Sequence, residues 1–325
     1  MSDQIEISED SIKVSFSSLT WLEESPAYFR AMSNGDLPKP ESQFMDFGKA
    51  LHCYILRRDD FPKEYYVLKA IMPANAQQHK FCAEYRNNNG DIVEAYKASY
   101  SIKSKTSDTI KSEAEKLIMT LKPYIDSISD SEGKKIISFD DFERITSIAD
   151  NILVHKGAKK LFEYMDNHKD CDVLTEKEFM LKGRKLHDGK DLWIHGFVDH
   201  IIFDPKNRKM VINELKTTSK PLSKYREAFS EYHTARQLAI YTIAAGKIFE
   251  TMYPDIPLKE VTPEWNVIVA QTNTLYEVRV FNVNQVHIEQ GMLEYKDLIN
   301  RYVFHYENGW DFPQEYYTNE GVEYL

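Results

Sequence analysis

Apolar residues in the second half of the chain fall into short, β-branched runs separated by polar turns. Residues 173–181, 192–203 and 210–217 are three such runs, joined by hydrophilic stretches at 183–190 and 204–209. They read as an antiparallel meander. The stretch Asp204-Pro205-Lys206-Asn207-Arg208-Lys209 carries the turn chemistry of a β-hairpin. Residues 265–271 and 276–281 are two more strand-like runs that extend the sheet. Elsewhere the apolar positions recur at three- and four-residue steps. Phe44, Phe47, Leu51, Tyr54 and Ile55 share one helical stripe in 44–58, as do Phe142, Ile145, Ile148, Ala149, Ile152 and Leu153 in 140–164. A longer helical pattern follows the hairpin, with Pro221 tolerated in its first turn. Residues 284–302 read as a helix with Asn284 as N-cap, and 17–26 as a short helix that Pro26 interrupts or ends. The expected fold class is α/β (α+β): a central mixed sheet flanked by helices, with a helical N-terminal portion.

Composition adds bounds. In 325 residues, 42% hydrophobic and 13% aromatic content supports a substantial packed core. No apolar run approaches the roughly 20 residues that span a bilayer. The start Met-Ser-Asp-Gln-Ile-Glu lacks a basic, apolar leader, so a cytoplasmic protein is expected. Cys53, Cys82 and Cys171 are odd in number and show no CxxC spacing, which gives no zinc or iron–sulfur framework. The net charge of −10 is unlike that of a non-specific nucleic-acid binder, whose affinity comes from neutralising phosphates. An acidic chain can still bind DNA through a local basic groove plus bound metal ions. Lysines and aromatics are interspersed through 68–116, either along such a channel or as an ordinary solvated face. No GxxxxGK[ST] sequence occurs, so there is no phosphate-binding loop for ATP.

Three ionisable residues then stand where plain core strands would carry Val or Ile. They are Asp199 in the first hairpin strand, and Glu214 and Lys216 in the second. Strand alternation puts Glu214 and Lys216 on one face, with Leu215 opposite, and pairing across the hairpin brings Asp199 towards Glu214. Two carboxylates and an ammonium at a partly buried strand end need compensation. Hard oxygen donors suit Mg²⁺ or Mn²⁺. In the following helix, His233, Gln237 and Tyr241 are spaced by four and would share one face.

D-(x14)-E-x-K followed by Q-x-x-x-Y resembles the PD-(D/E)XK nuclease superfamily. Gly48-Lys49-Ala50-Leu51-His52 is similar to the G-x-x-x-H helix that precedes the core in related families, and residues 15–66 resemble the opening of RecE-type exonuclease VIII and related phage nucleases. The resemblance spans about 15–290 and implies a restriction-endonuclease-like sheet. A single nuclease domain over 1–325 is expected, with a helical portion at 1–170, the catalytic core at 171–285 and a C-terminal helix with an aromatic tail at 286–325. The resemblance further implies one or two Mg²⁺ or Mn²⁺ ions held by His52, Asp199, Glu214 and the Leu215 carbonyl, with Lys216, Gln237 and Tyr241 at the substrate phosphate. Relatives also place an acidic residue near Glu176 or Glu178, and which of the two faces the site, or whether either does, stays open. Ser25 stands where cluster-bearing relatives have a cysteine, so no iron–sulfur cluster is expected. By the same resemblance the partners are double-stranded DNA ends, other copies of the chain in a ring, and a single-strand annealing recombinase. The activity would be 5′→3′ digestion leaving 3′ overhangs. A nuclease of endonucleolytic or single-strand specificity on the same core, or a non-catalytic DNA-end-binding protein, are the competing readings.

Overall fold

The structure, a computed structural model, describes residues 11–38, 43–131, 133–164, 170–273 and 275–311. The aromatic tail residues Phe312, Tyr316, Tyr317 and Tyr324 lie outside the described residues. The chain divides into two compact units, Met1–Gly48 with Asp150–Leu325, and Lys49–Ala149.

The first unit starts with β1 (Ile12–Ser15), α1 (Phe16–Leu19), α2 (Trp21–Glu24) and α3 (Pro26–Asn34), before α4 (Gln43–Leu56) carries the chain onward. Ser15 and Ser25 hydroxyls accept the N–H groups of Ser18 and Tyr28, both at 3.0 Å, and so cap α1 and α3. Pro26 closes one helix and opens the next, since a missing N–H costs nothing at a first helical position.

The second unit holds α5 (Phe61–Glu64), β2 (Tyr65–Leu68), α6 (Ala76–Asn87), α7 (Ile92–Ser99), α8 (Ser107–Asp130), β3 (Lys135–Ser138) and most of α9 (Phe139–Val154). β2 and β3 pair in parallel. Behind the lysines of 68–116 lies an interior of the unit's own, built on Phe81, Cys82, Ala95, Tyr96, Ala114 and Leu121. Burial pushes the Cys82 thiol up to about 11, which leaves it inert.

The chain then returns to the first unit through α10 (Lys156–Phe162), β4 (Asp172–Lys185), β5 (Asp191–Asp204), β6 (Lys209–Thr218), α11 (Tyr225–Glu231), α12 (Thr234–Met252), β7 (Thr262–Gln271), β8 (Val278–Asn282) and α13 (Gln285–Asn308). The meander and hairpin are as expected, and β7 joins β6 in parallel. The six-stranded mixed sheet thus needs no edge at its centre. β6 is flanked on both sides and is buried from Met210 to Leu215, because both its faces are covered.

Two expected helices are each broken in two. Residues 140–164 divide at His155, which caps α10. The pattern after the hairpin divides at Tyr232–His233, with Pro221 preceding a separate 3₁₀ turn. His233 takes a left-handed backbone, φ 47°, and its carbonyl accepts the Gln237 N–H. It is therefore the N-cap residue of α12, outside the face shared by Gln237 and Tyr241. Arg236 is buried and grips Glu23 of α2 with two bonds of 2.6 and 2.8 Å. Gly291 of α13 permits the close crossing there, because a Cβ would lie 2.3 Å from the Ala235 carbonyl.

A polar row crosses the sheet at one level. Asn213 of β6 bonds His200 Nδ1 of β5 at 2.8 Å, Asn266 of β7 donates to Asn213 at 3.0 Å, and Asn282 of β8 donates to Asn266 at 3.3 Å. Each pair is directly opposed in the strand register. Burial pulls the His200 imidazole down to about 4, so it is neutral at pH 7 and fits this row uncharged. A register slip would leave these buried groups unsatisfied. Asn213→Ala is expected to destabilise the protein by about 2–4 kcal/mol, because it strands both neighbours. Denaturant unfolding measures this, and a loss under about 0.5 kcal/mol, the surface-substitution level, would show that the row carries no register.

Candidate active site

β5 is paired along one edge by β4 over nearly its whole length. Its other edge is shared: β1 takes Leu192 to His195, and β6 takes His200 to Asp204. Between these two partners β5 and β6 part. The last ladder pair is His200 with Asn213, one short of Asp199 with Glu214. The backbone N–H of Leu215, freed by the parting, donates to Asp199 Oδ2 at 2.9 Å. The fork is the site.

On β6, Glu214 and Lys216 share the face under α12. The Lys216 ammonium lies 2.6 Å from Glu214 Oε1 and donates to Gln237 Oε1 at 2.8 Å. Gln237 in turn donates through Nε2 to the Tyr241 hydroxyl at 2.7 Å. The Glu214 side chain is only 2% exposed while that of Lys216 is 29% exposed, so the pair is enclosed but reachable from solvent. Asp199 and Glu214 are within hydrogen-bonding reach of each other. Five of the expected residues, Asp199, Glu214, Lys216, Gln237 and Tyr241, thus form one connected set, with Leu215 joined through its backbone. Gly196 admits the Phe179 ring across β5, since a Cβ there would lie 2.7 Å from it, and that ring meets Tyr241 edge-on.

The electrostatics follow from enclosure. Burial is the largest influence on Asp199 and pushes it up to about 6, against the pull of the Lys216 charge and the Leu215 N–H. Burial also pulls on Lys216, but the Glu214 and Asp199 carboxylates outweigh it and hold the ammonium above its usual value. The cation-free site therefore keeps Lys216 charged. Tyr241 is pushed well above the phenol range by burial and the two carboxylates, so it acts as a neutral hydroxyl.

Of the two acidic residues on β4, Glu176 is the one whose position falls opposite Asp199 in the strand register. Its negative charge reaches both Asp199 and Tyr241. The β4–β5 ladder is intact at Thr175–His200 and at Lys177–Val198 but skips Glu176 opposite Asp199, where Glu176 has φ 43°. A non-glycine residue held there is costly. Nothing in strand alternation signals such a break, so the sequence could not choose between Glu176 and the exposed Glu178. His52 lies half-buried on α4 in the second unit. Gly48, one turn earlier and in the first unit, backs onto the end of β6, with a Cβ there 3.5 Å from Thr217 Oγ1.

The donor set fits a hard divalent cation. Among the described residues no group of three or more His, Cys, Asp or Glu side chains forms a ready cage. Mg²⁺ is commonly held by one or two carboxylates with waters and substrate oxygens, and Asp199 with Glu214 supplies that much. Burial lifts Asp199 to about 6, and a cation placed against it would favour the ionised form that coordinates.

A mixed sheet forked around a carboxylate pair and a lysine, under a Gln–Tyr helix, defines a hydrolase core of the restriction-endonuclease type. A model of the PD-(D/E)XK nuclease superfamily matches residues 13–290, and the chain belongs to that superfamily. It is a nuclease, and its superfamily generally uses divalent metal ions. Among solved structures, one described as a putative exonuclease from Eubacterium rectale is similar, with TM-score 0.46 and 10% identity over 94% of this chain and 84% of that one. No curated protein matches the chain. Among the described residues no helix is long and apolar enough to cross a membrane.

In the presence of chelator, Asp199 keeps its proton to about pH 6 when folded but only to 3.8 by its ordinary value. Its contribution to stability is full below 3.8 and lost as pH rises through 6. Asp199→Asn mimics the protonated acid. The variant is expected to gain on the wild type between pH 4 and 7 by on the order of 2 kcal/mol, with allowance for partial solvent contact. Parallel stability–pH curves for the two proteins would show Asp199 to be an ordinary carboxylate.

Proposed function

We propose that the protein is a divalent-metal-dependent deoxyribonuclease, acting as an ATP-independent 5′→3′ exonuclease on linear double-stranded DNA. The observation that carries the hydrolytic part is the continuous chain Glu214–Lys216–Gln237–Tyr241 beside Asp199. A non-catalytic end-binding protein would have no need to keep a buried acid pair and an ammonium in register.

Asp199, Glu214 and the Leu215 carbonyl would hold the Mg²⁺ or Mn²⁺, with His52 as a further ligand. Bound there, the ions supply a hydroxide-like nucleophile near neutral pH and neutralise the phosphoryl oxygens. The chain's own groups do the rest. Lys216, on the open side of the pair, orients the attacking water or meets the scissile phosphate. Gln237 accepts a hydrogen bond from Lys216 and fixes the direction of the ammonium. Tyr241, kept protonated, fixes the Gln237 amide in turn. Glu176 adds negative charge beside Asp199 and strengthens the demand for a cation.

The polarity, the double-stranded substrate, the ring of copies and a recombinase that anneals the 3′ overhangs rest on the likeness to RecE-type enzymes. Without a motor, an enzyme that digests long duplexes stays attached by topology, which favours a ring.

Lys216→Ala is expected to lower turnover about 10³-fold with folding intact, and Gln237→Ala about 10- to 100-fold. Near wild-type cleavage by Lys216→Ala would sink the assignment. Linear duplex carrying either a 5′ or a 3′ label, digested with Mg²⁺, reads the polarity: early release of the 5′ label is expected. Linearisation of a circular plasmid would replace the exonuclease with an endonuclease.

A further inference from the structure

A cavity of about 400 Å³ is walled by α11, β8 and the start of α13. Its sides are two aromatic pairs. Tyr225 stacks on Phe281 with ring centres 5.1 Å apart, and Phe229 meets His287 edge-on at 5.6 Å. Arg226 and Asn284 stand at the mouth, both exposed. Among the described residues no acidic side chain lines it, in a chain that carries 51 acidic residues against 41 basic ones.

We propose that this cavity is a nucleotide subsite, taking one base and its phosphate from a strand whose scissile phosphate lies at Lys216. The assignment rests on the nuclease reading of the fork. Tyr225 joins the two places. Its ring forms part of the cavity wall, while its hydroxyl lies in the field of Lys216 and Glu214. The cavity therefore lies on the Glu214 face of the sheet, two strands over, since Glu214 opposes Val267 and Val267 opposes Phe281. Flat aromatic walls suit a base, because every base has a π-face and stacking does not depend on sequence. Arg226 suits the attached phosphate, which it can grip with a planar fork. Phe229 and Phe281 are only partly buried, so each leaves ring surface for a guest. An acidic peptide would satisfy Arg226 but would leave those rings unfilled. A neutral apolar ligand would fill the rings and leave Arg226 idle.

The test is binding of a fluorescein-labelled single-stranded oligonucleotide by anisotropy, with Ca²⁺ in place of Mg²⁺. Arg226→Glu, on the exposed rim, and Phe229→Ala are each expected to weaken binding about tenfold or more. Photocrosslinking of a 5-iododeoxyuridine oligonucleotide to the wild type is expected to mark Phe229, Phe281 or His287. Arg226→Glu is a surface change that leaves folding intact, and so covers any loss of fold in Phe229→Ala. Wild-type affinity in Arg226→Glu, or crosslinks confined to other surfaces, would overturn the subsite while leaving the nuclease reading in place. Failure of the wild type to cleave any DNA with Mg²⁺ or Mn²⁺ would overturn both.

Discussion

The parting of β5 and β6 after His200 and Asn213 is the constraint on which the rest of the structure depends. Strands that stayed paired would use the Leu215 N–H in the ladder and bury Asp199 and Glu214 against each other. By diverging, they open a gap between β1 and β6 along the same edge of β5. Asp199 then takes over the hydrogen bond that the ladder gives up. The opening therefore leaves no backbone donor stranded, and it concentrates charge where water can still reach.

Everything around the fork limits its freedom. The break opposite Asp199 on β4 falls at Glu176, whose charge acts on Asp199. The α12 helix, held at its start by Arg236 on Glu23, delivers Gln237 to the lysine. The arrangement sets the carboxylates of Asp199, Glu214 and Glu176 against one ammonium. Lys216 is tied to these carboxylates, which hold its ammonium above its usual value.

Much of this was legible in the residues. Asp199, Glu214 and Lys216 stood out because charge is expensive in an apolar strand, and hairpin alternation fixed their faces. Gln237 and Tyr241 followed from a four-residue spacing that survives in α12. His233 was misplaced because periodicity carries no sign of a left-handed residue that restarts a helix. The interior of the second unit was hidden for a related reason: its apolar positions are thinly spread among lysines, and only tertiary packing reveals Phe81 and Leu121 as core. Glu176 depends on one unusual φ angle, which spacing cannot encode. The Glu23–Arg236 clasp joins residues 213 positions apart, beyond the reach of any local pattern.

The row of His200, Asn213, Asn266 and Asn282 sets the size of the smallest transferable piece of this enzyme. Asn213 immediately precedes Glu214, so whatever fixes the first fixes the second. A hairpin grafted onto another sheet would carry the acids and the lysine but would arrive without the amides that hold their level. The portable unit is four strands wide, β5 through β8, and its far member, Asn282, belongs to the strand that also supplies Phe281. The depth of the fork is thus measured from the opposite side of the sheet.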